Sequence, residues 1–462
     1  MGKILHDYQL NAATWVYLAS LLSITIFFKF NRFWSVRNLD LAGLISYAPG
    51  LLLIARKEPE LQHLGYVWLF VVGALFFIRI LIDPTMTRRP LLETNLAPGG
   101  MTFLALSLFV FLMVNVLIYP PTASDLAVAR QVDRALSRAS DDGADKSQAE
   151  AAADITVRSR PGFFLMMWLP SVSTSAIMDA NAPQGAEPGP PTKVSNESKQ
   201  IAAARTTAIL SHMAVVVGLV LIGVRHFDNV RTGISAATLY LLLPYTAQLT
   251  GHVDHVLPAA LLVWAVLAYH DPLIAGVLIG LASGMIYYPL FLLPLWCGFY
   301  WRKGMFRFLG GVSISWAVLL AITVLLLKDA PTILESMKSF FGWSNFFEAK
   351  ANNGFWAFGD SIAPYRGAVI VAFLALSAGF AIWPAQKNLG TLISCSAAVM
   401  LATQFWHLDS HGDYGGGAYL AWYMPLLLLT VFRPNLEDRV ATSALNEGWF
   451  SKRRWQLRTR AA

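Results

Sequence analysis

Two short polar segments carry most of the residues able to do chemistry. The first reads Gly251-His252-Val253-Asp254-His255, and the second His407-Leu408-Asp409-Ser410-His411-Gly412-Asp413. Neither contains a Lys or Arg, so nothing within either segment neutralises its carboxylates. A carboxylate beside a low-dielectric region can act as a general base or hold a cation, and an imidazole can move protons or bind a substrate oxygen. Asp254, Asp409 and Asp413 are therefore the candidate catalytic residues. His252, His255 and His411 are candidate substrate-binding groups. In an extended stretch, alternate side chains face one way, so His407, Asp409, His411 and Asp413 could converge on a cation. Gly412, Gly415, Gly416 and Gly417 favour a bent backbone instead, and plain solvated polarity competes with metal binding. No metal ligand set is assigned, and a divalent cation is the one cofactor these residue types could hold. For Asp254 the competing role is a helix N-cap, because it heads an apolar run. Tyr287 and Tyr288 join the substrate-binding candidates, since Pro289 and Pro294 break the apolar run around them and bring their hydroxyls to a helix interruption.

These residues need elements to position them, and composition says which kind. The chain has 462 residues, 56% hydrophobic and only 14% charged, against about 25% charged in a soluble domain. Its mean hydropathy is +0.51. Disordered, collagen-like, disulfide-rich and ordinary soluble classes are excluded. Cys297 and Cys395, the two cysteines, both lie in apolar runs, so disulfide scaffolds and Cys-based zinc sites are not expected. The net charge of +7 reflects topology rather than nucleic acid, because cytoplasmic loops collect Lys and Arg. Membrane lipid is the expected partner, and nucleic acid is not.

The expected fold is all-α, a polytopic transmembrane helix bundle of about 11–13 spans with one long outer loop. Residues 1–119 read as a four-span N-terminal bundle. Residues 120–205 form an extracytoplasmic loop, partly disordered, in which the apolar run 162–169 is too short to span and lies at the interface or on the helix ends. Residues 206–432 are the C-terminal transmembrane core, and 433–462 a basic cytoplasmic tail. The run 273–300 reads as two short helices that return the chain to the side it left. With that break, the arginine-bearing loops face the cytoplasm, the N-terminus lies outside and the C-terminus inside. The absence of organelle-targeting signals fits a multi-pass protein of a bacterial inner membrane.

Three further features have competing readings. Gly276, Gly280 and Gly284 recur at intervals of four and read as a close helix contact. Arg79 and Asp83 stand at i and i+4, so they can pair on one face. Their loop, with Arg88 and Arg89, sets topology or holds a lipid headgroup. The aromatic-rich loop 328–366 anchors at the interface or covers a cavity. No Walker A loop, dinucleotide GxGxxG, nucleophile elbow or HExxH helix occurs.

Residues 232–304 resemble the middle of polytopic bacterial glycosyltransferases of the GT-C superfamily, particularly the mannosyltransferase-like branch that uses polyprenyl-phosphate sugars. The matching positions are Pro244, the Gly251-x-x-Asp254 turn, Gly280-Leu281-Ala282 and Tyr288-Pro289-Leu290. The resemblance implies transfer of a sugar from a polyprenyl-phosphate donor on the outer membrane face, with an acidic outer-loop residue as base or metal ligand. The leading carboxylate that such enzymes carry in a first large outer loop has no match here. A transporter or flippase, and a non-catalytic membrane component, are the alternatives.

Overall fold

The computed structural model describes residues 11–56, 58–86, 92–118, 161–180, 195–326, 354–358, 364–408, 417–436 and 439–440, with a few isolated positions between them. Before the long loop come α1 (Ala12–Phe27), α2 (Val36–Ile54), α3 (Pro59–Ile82) and α4 (Pro98–Ile118). Then follow α5 (Pro161–Ala180), α6 (Asn196–Arg225), α7 (Val230–Leu242), α8 (Pro244–Gln248), α9 (Val253–Leu267) and α10 (Pro272–Met285). The last are α11 (Leu293–Tyr300), α12 (Met305–Leu326), α13 (Tyr365–Ile382), α14 (Leu389–Ala402) and α15 (Met424–Phe432). The fold is an all-α membrane helix bundle. Among the described residues, six helical segments are long and apolar enough to cross a bilayer: Pro59–Thr85, Pro98–Ile118, Pro161–Met178, Asn196–Arg225, Met305–Leu325 and Tyr365–Ile382. Helices are the expected solution, because every backbone group in hydrocarbon must bond within its own segment.

One of these six corrects the reading of the long loop. The apolar run 162–169 lies inside α5, which has 20 residues rather than eight. Its polar second half does not stop the helix, because the hydroxyls bond back to the helix's own carbonyls. Ser173 Oγ donates to Leu169 O at 3.0 Å and Thr174 Oγ1 to Pro170 O at 2.7 Å. The helix packs its first turns on α6 and α10, and Gly162 lies against the backbone of Gly284 and Met285.

The glycine repeat makes the helix contact that its spacing implies. A Cβ on Gly276 would overlap the Phe308 carbonyl oxygen, one on Gly280 would sit 2.7 Å from Ser315 Cβ, and one on Gly284 would overlap Leu319. α10 and α12 therefore meet backbone to backbone. The apolar run after α10 is broken as well. Residues Tyr288–Leu292 form a 3-10 turn, and the eight-residue α11 heads back. Tyr300 Oη, at the end of α11, donates to Tyr269 O just before α10 at 2.6 Å. The chain thus returns to the end of the bundle that it left.

That end also holds the charged interior. Arg79 bonds both carboxylate oxygens of Asp40, at 2.9 and 3.0 Å, and one oxygen of Asp83 at 3.3 Å. Arg433 bonds the other Asp83 oxygen. Asp83 is 0% exposed and Arg433 3%. The i, i+4 pair of the sequence is real, and Asp40 and Arg433 extend it into a network of two cations and two anions. In a low-dielectric core an unpaired charge is unaffordable, so mutual neutralisation is the condition for burying all four. The start of the C-terminal tail packs there too. Leu389 N bonds Arg439 O at 2.8 Å, and Arg439 pairs with Asp228 at 3.0 Å.

Candidate functional site

The opposite end of the bundle is built from short helices. α7, α9, α10 and α14 have 13, 15, 14 and 14 residues, or about 20–22 Å of helix against about 30 Å of hydrocarbon. Their neighbours are taller. His212 of α6 lies level with the turn before α9, and α6 runs on from Ser211 to Asn196, about 24 Å further. α3 likewise extends beyond Phe70, whose ring is 4.8 Å from that of Phe405. The polar segments expected at an outer surface therefore form a floor set below the ends of these longer helices.

Proline opens the first turn of that floor. Pro244 begins the five-residue α8, and the chain turns through Leu249–His252 into α9. Thr246 Oγ1 donates to Tyr240 O at 2.6 Å and Thr250 Oγ1 to Thr246 O at 2.7 Å. His212 fixes the turn from the side, with Nε2 3.0 Å from Thr250 O and Nδ1 3.0 Å from Tyr240 Oη. The result sets His252, Asp254 and His255 together. One ligand atom from each lies within 4.8 Å of the others. Asp254 is not the N-cap. His252 holds that position, without a side-chain capping bond, and Asp254 occupies the first turn, where the helix dipole favours a carboxylate.

Aromatic groups then tie this turn to the two other segments. Tyr245 Oη is 2.5 Å from His255 Nδ1. The His255 ring stacks on Tyr419 with centroids 4.4 Å apart, and Tyr419 stacks on Trp422 at 4.5 Å. Trp422 Nε1 donates to the Asp254 carbonyl at 3.1 Å. On the far side, Tyr287 Oη donates to Tyr288 Oη at 2.7 Å, and Tyr288 bonds His407 Nδ1. His407 meets Tyr419 edge to face at 5.0 Å. Gln404 holds the return of the chain, as its Oε1 accepts from Gly417 N and Tyr419 N, both at 3.2 Å. Gly417 takes φ +98°, where a side chain would be strained.

Of the residues expected from sequence, His252, Asp254, His255, Tyr287 and Tyr288 come together. Tyr287 and Tyr288 are fully buried, as is His255. Asp409, His411 and Asp413 lie outside the described residues. His407, the first of that alternating series, points inward to Tyr288. Sequence reading missed Tyr245, Tyr419, Trp422, Gln404 and His212. The signal for Tyr419 and Trp422 was a polar-aromatic cluster at the head of the last apolar run, which reads equally well as the end of a span. Part of the aromatic loop also packs here, with Phe355 stacked on Phe70 at 4.5 Å and Trp356 Nε1 donating to Phe405 O at 2.9 Å. The rest of that loop is mostly outside the described residues.

The His252–Asp254–His255 set comes close to what a divalent cation needs. Two imidazoles and a carboxylate suit zinc or manganese, and Tyr245 bonds Nδ1 of His255 and so orients its ring. Bonds of about 2.1 Å allow ligand atoms no more than about 4.2 Å apart, so these side chains would have to draw in slightly around an ion. No family model, curated protein or solved structure matches the chain.

Proposed function

We propose that the protein is an integral-membrane glycosyltransferase that takes a sugar from a polyprenyl-phosphate donor, with Asp254 at the centre of its site. The observation that carries this reading is the convergence of His252, Asp254 and His255 on a floor set below the ends of the longer apolar helices, which would wall a recess. A lipid-linked donor lies in the bilayer beside such a recess, while a polar acceptor enters from water. Two of the glycosyltransferase-like positions, Asp254 and Tyr288, are joined through Trp422, which bonds the Asp254 carbonyl and packs 5.3 Å from Tyr288. In the transfer, the acceptor oxygen forms a bond to the anomeric carbon as the bond to the donor phosphate oxygen breaks. The acceptor proton passes to the Asp254 carboxylate, and the lipid phosphate leaves as an anion. His252 and His255 orient the substrate oxygens or share a cation with Asp254. The site faces the extracytoplasmic side, with the charged end of the bundle and the C-terminus in the cytoplasm, as the distribution of arginines requires.

Membranes containing the protein should transfer radiolabelled sugar from a polyprenyl-phosphate donor, and Asp254→Asn should abolish transfer. Equal rates in wild type and Asp254→Asn would remove Asp254 from the chemistry. A second reading, a carrier of lipid-linked substrates, is favoured by three helical hairpins, α7/α8/α9, α10/α11 and α14/α15, whose turns meet at this polar floor. Proteoliposomes that move substrate without forming a covalent product would establish it.

A further inference from the structure

The turn between α1 and α2 is a rigid knuckle at the charged end of the bundle. Its organiser is Asn38, 1% exposed, whose Nδ2 reaches Lys29 O, Arg32 O and Phe33 O at 2.9–3.2 Å and whose Oδ1 accepts from Lys29 N at 3.1 Å. Asn95 adds a second brace by donating to Thr25 O and Phe28 O and accepting from Lys29 Nζ at 2.7 Å. So much bonding on one turn would ordinarily serve to pack its side chains inward. Here it pushes them out. Phe30 is 72% exposed, Phe33 57% and Trp34 80%. Their rings form a continuous run, with Phe28–Phe33 at 5.4 Å and Phe33–Trp34 at 5.2 Å.

The charge on this knuckle has one sign. From Phe28 to Leu39 the chain carries Lys29, Arg32 and Arg37 and no acidic residue. Arg37 is turned inward, where its guanidinium bonds Phe27 O and Glu93 O. Arg32 is exposed, and its side chain makes no hydrogen bond to another described residue. An aromatic ridge with a cation beside it, held at fixed geometry at the charged end of a membrane helix bundle, matches the headgroup layer of a bilayer. The rings sit at the acyl boundary and the guanidinium reaches phosphate.

We propose that the 28–34 knuckle is a binding site for anionic phospholipid headgroups. Arg32 takes the headgroup phosphate, Phe30, Phe33 and Trp34 seat the knuckle in the interface, and Asn38 pre-organises both. The proposal rests on the membrane fold and on no assumption about the reaction at the opposite end.

The test uses the full chain reconstituted in phosphatidylcholine bilayers that contain a fixed fraction of brominated lipid. Trp34 fluorescence is isolated as the difference between wild type and Trp34→Phe. Brominated phosphatidylglycerol should quench it about fivefold more effectively than brominated phosphatidylcholine, the effect of one basic residue near an anionic surface. Arg32→Gln should remove that preference while quenching by both lipids persists. Asn38→Ala should weaken the preference with Arg32 still present. Equal quenching by the two lipids in wild type, a preference that survives Arg32→Gln, or no quenching by either lipid would each overturn the proposal. Arg32 and Trp34 are exposed, so their variants keep the test intact even if Asn38→Ala fails to fold.

Discussion

Gly390→Ala tests the buried charge network through a substitution that touches no charge. Gly390 lies in the first turn of α14, where alanine is the better helix former by about 1 kcal/mol. Judged from the helix alone, the change should stabilise the protein. The packing predicts the opposite. A Cβ at this position would overlap Arg433 Nη1 and lie 2.7 Å from its Cζ, where carbon atoms in contact stand about 3.5–4.0 Å apart. The guanidinium would have to retreat by about 1.5 Å, which draws it away from Asp83. The 3.3 Å contact between Asp83 and Arg79 would remain. Opening one side of a buried ion pair costs about 3–5 kcal/mol, and the gain in helix propensity offsets about 1 of it. A net loss of about 2–4 kcal/mol is expected. It should appear as a lower unfolding midpoint of the detergent-solubilised protein in both thermal and denaturant titrations. In an Arg433→Met background the same alanine should cost far less, because the flexible side chain can move aside and no ion pair remains to lose. A neutral or stabilising Gly390→Ala in the wild-type background would mean that the guanidinium does not lie over Gly390, and the account of the network would fail.

The glycine seam gives a paired prediction: Gly276→Ala should destabilise by about 1–3 kcal/mol, because the α10–α12 backbones must part, whereas Gly251→Ala, with open space around the added carbon, should change the midpoint little. His212→Ala should lower stability by about 1–3 kcal/mol by leaving Tyr240 Oη and Thr250 O unpaired in the core, and it should reduce any transfer activity by loosening the turn that carries Asp254. Tyr245→Phe should lower stability by about 1–3 kcal/mol, since it removes a hydrogen bond of the buried His255 ring, and should reduce transfer at temperatures well below the unfolding midpoint because that ring is no longer oriented. Unchanged kinetics in that variant would show that His255 needs no such partner.

Much of the architecture follows from local chemistry. Long apolar runs become helices because hydrocarbon offers their amides no other partner. The Gly276/Gly280/Gly284 spacing places three small residues on one face, and Pro289 forces the break that returns the chain at α11. These effects act within a few turns, so the sequence alone predicts them. Where local reading failed, the polar residues were satisfied in a way that a hydropathy window cannot see. The hydroxyls of Ser173 and Thr174, bonded to their own helix, let α5 continue past its apolar half.

The site itself was legible only in part. His252, Asp254 and His255 are neighbours in the chain, and the start of one helix is enough to gather them. Their partners are not neighbours. Tyr288 and His407 are separated by 119 positions, Asp254 and Trp422 by 168, and Asp83 and Arg433 by 350. Amino-acid type and spacing thus determined that this protein is a bundle of membrane helices with polar turns at one end and paired charges at the other. Tertiary packing decided which carboxylate, imidazole and tyrosine share a floor, and that short helices sink this floor below taller ones. A hydrogen bond or a stacked ring depends on atoms within a few ångströms of each other, and only the folded chain brings together residues so far apart in sequence.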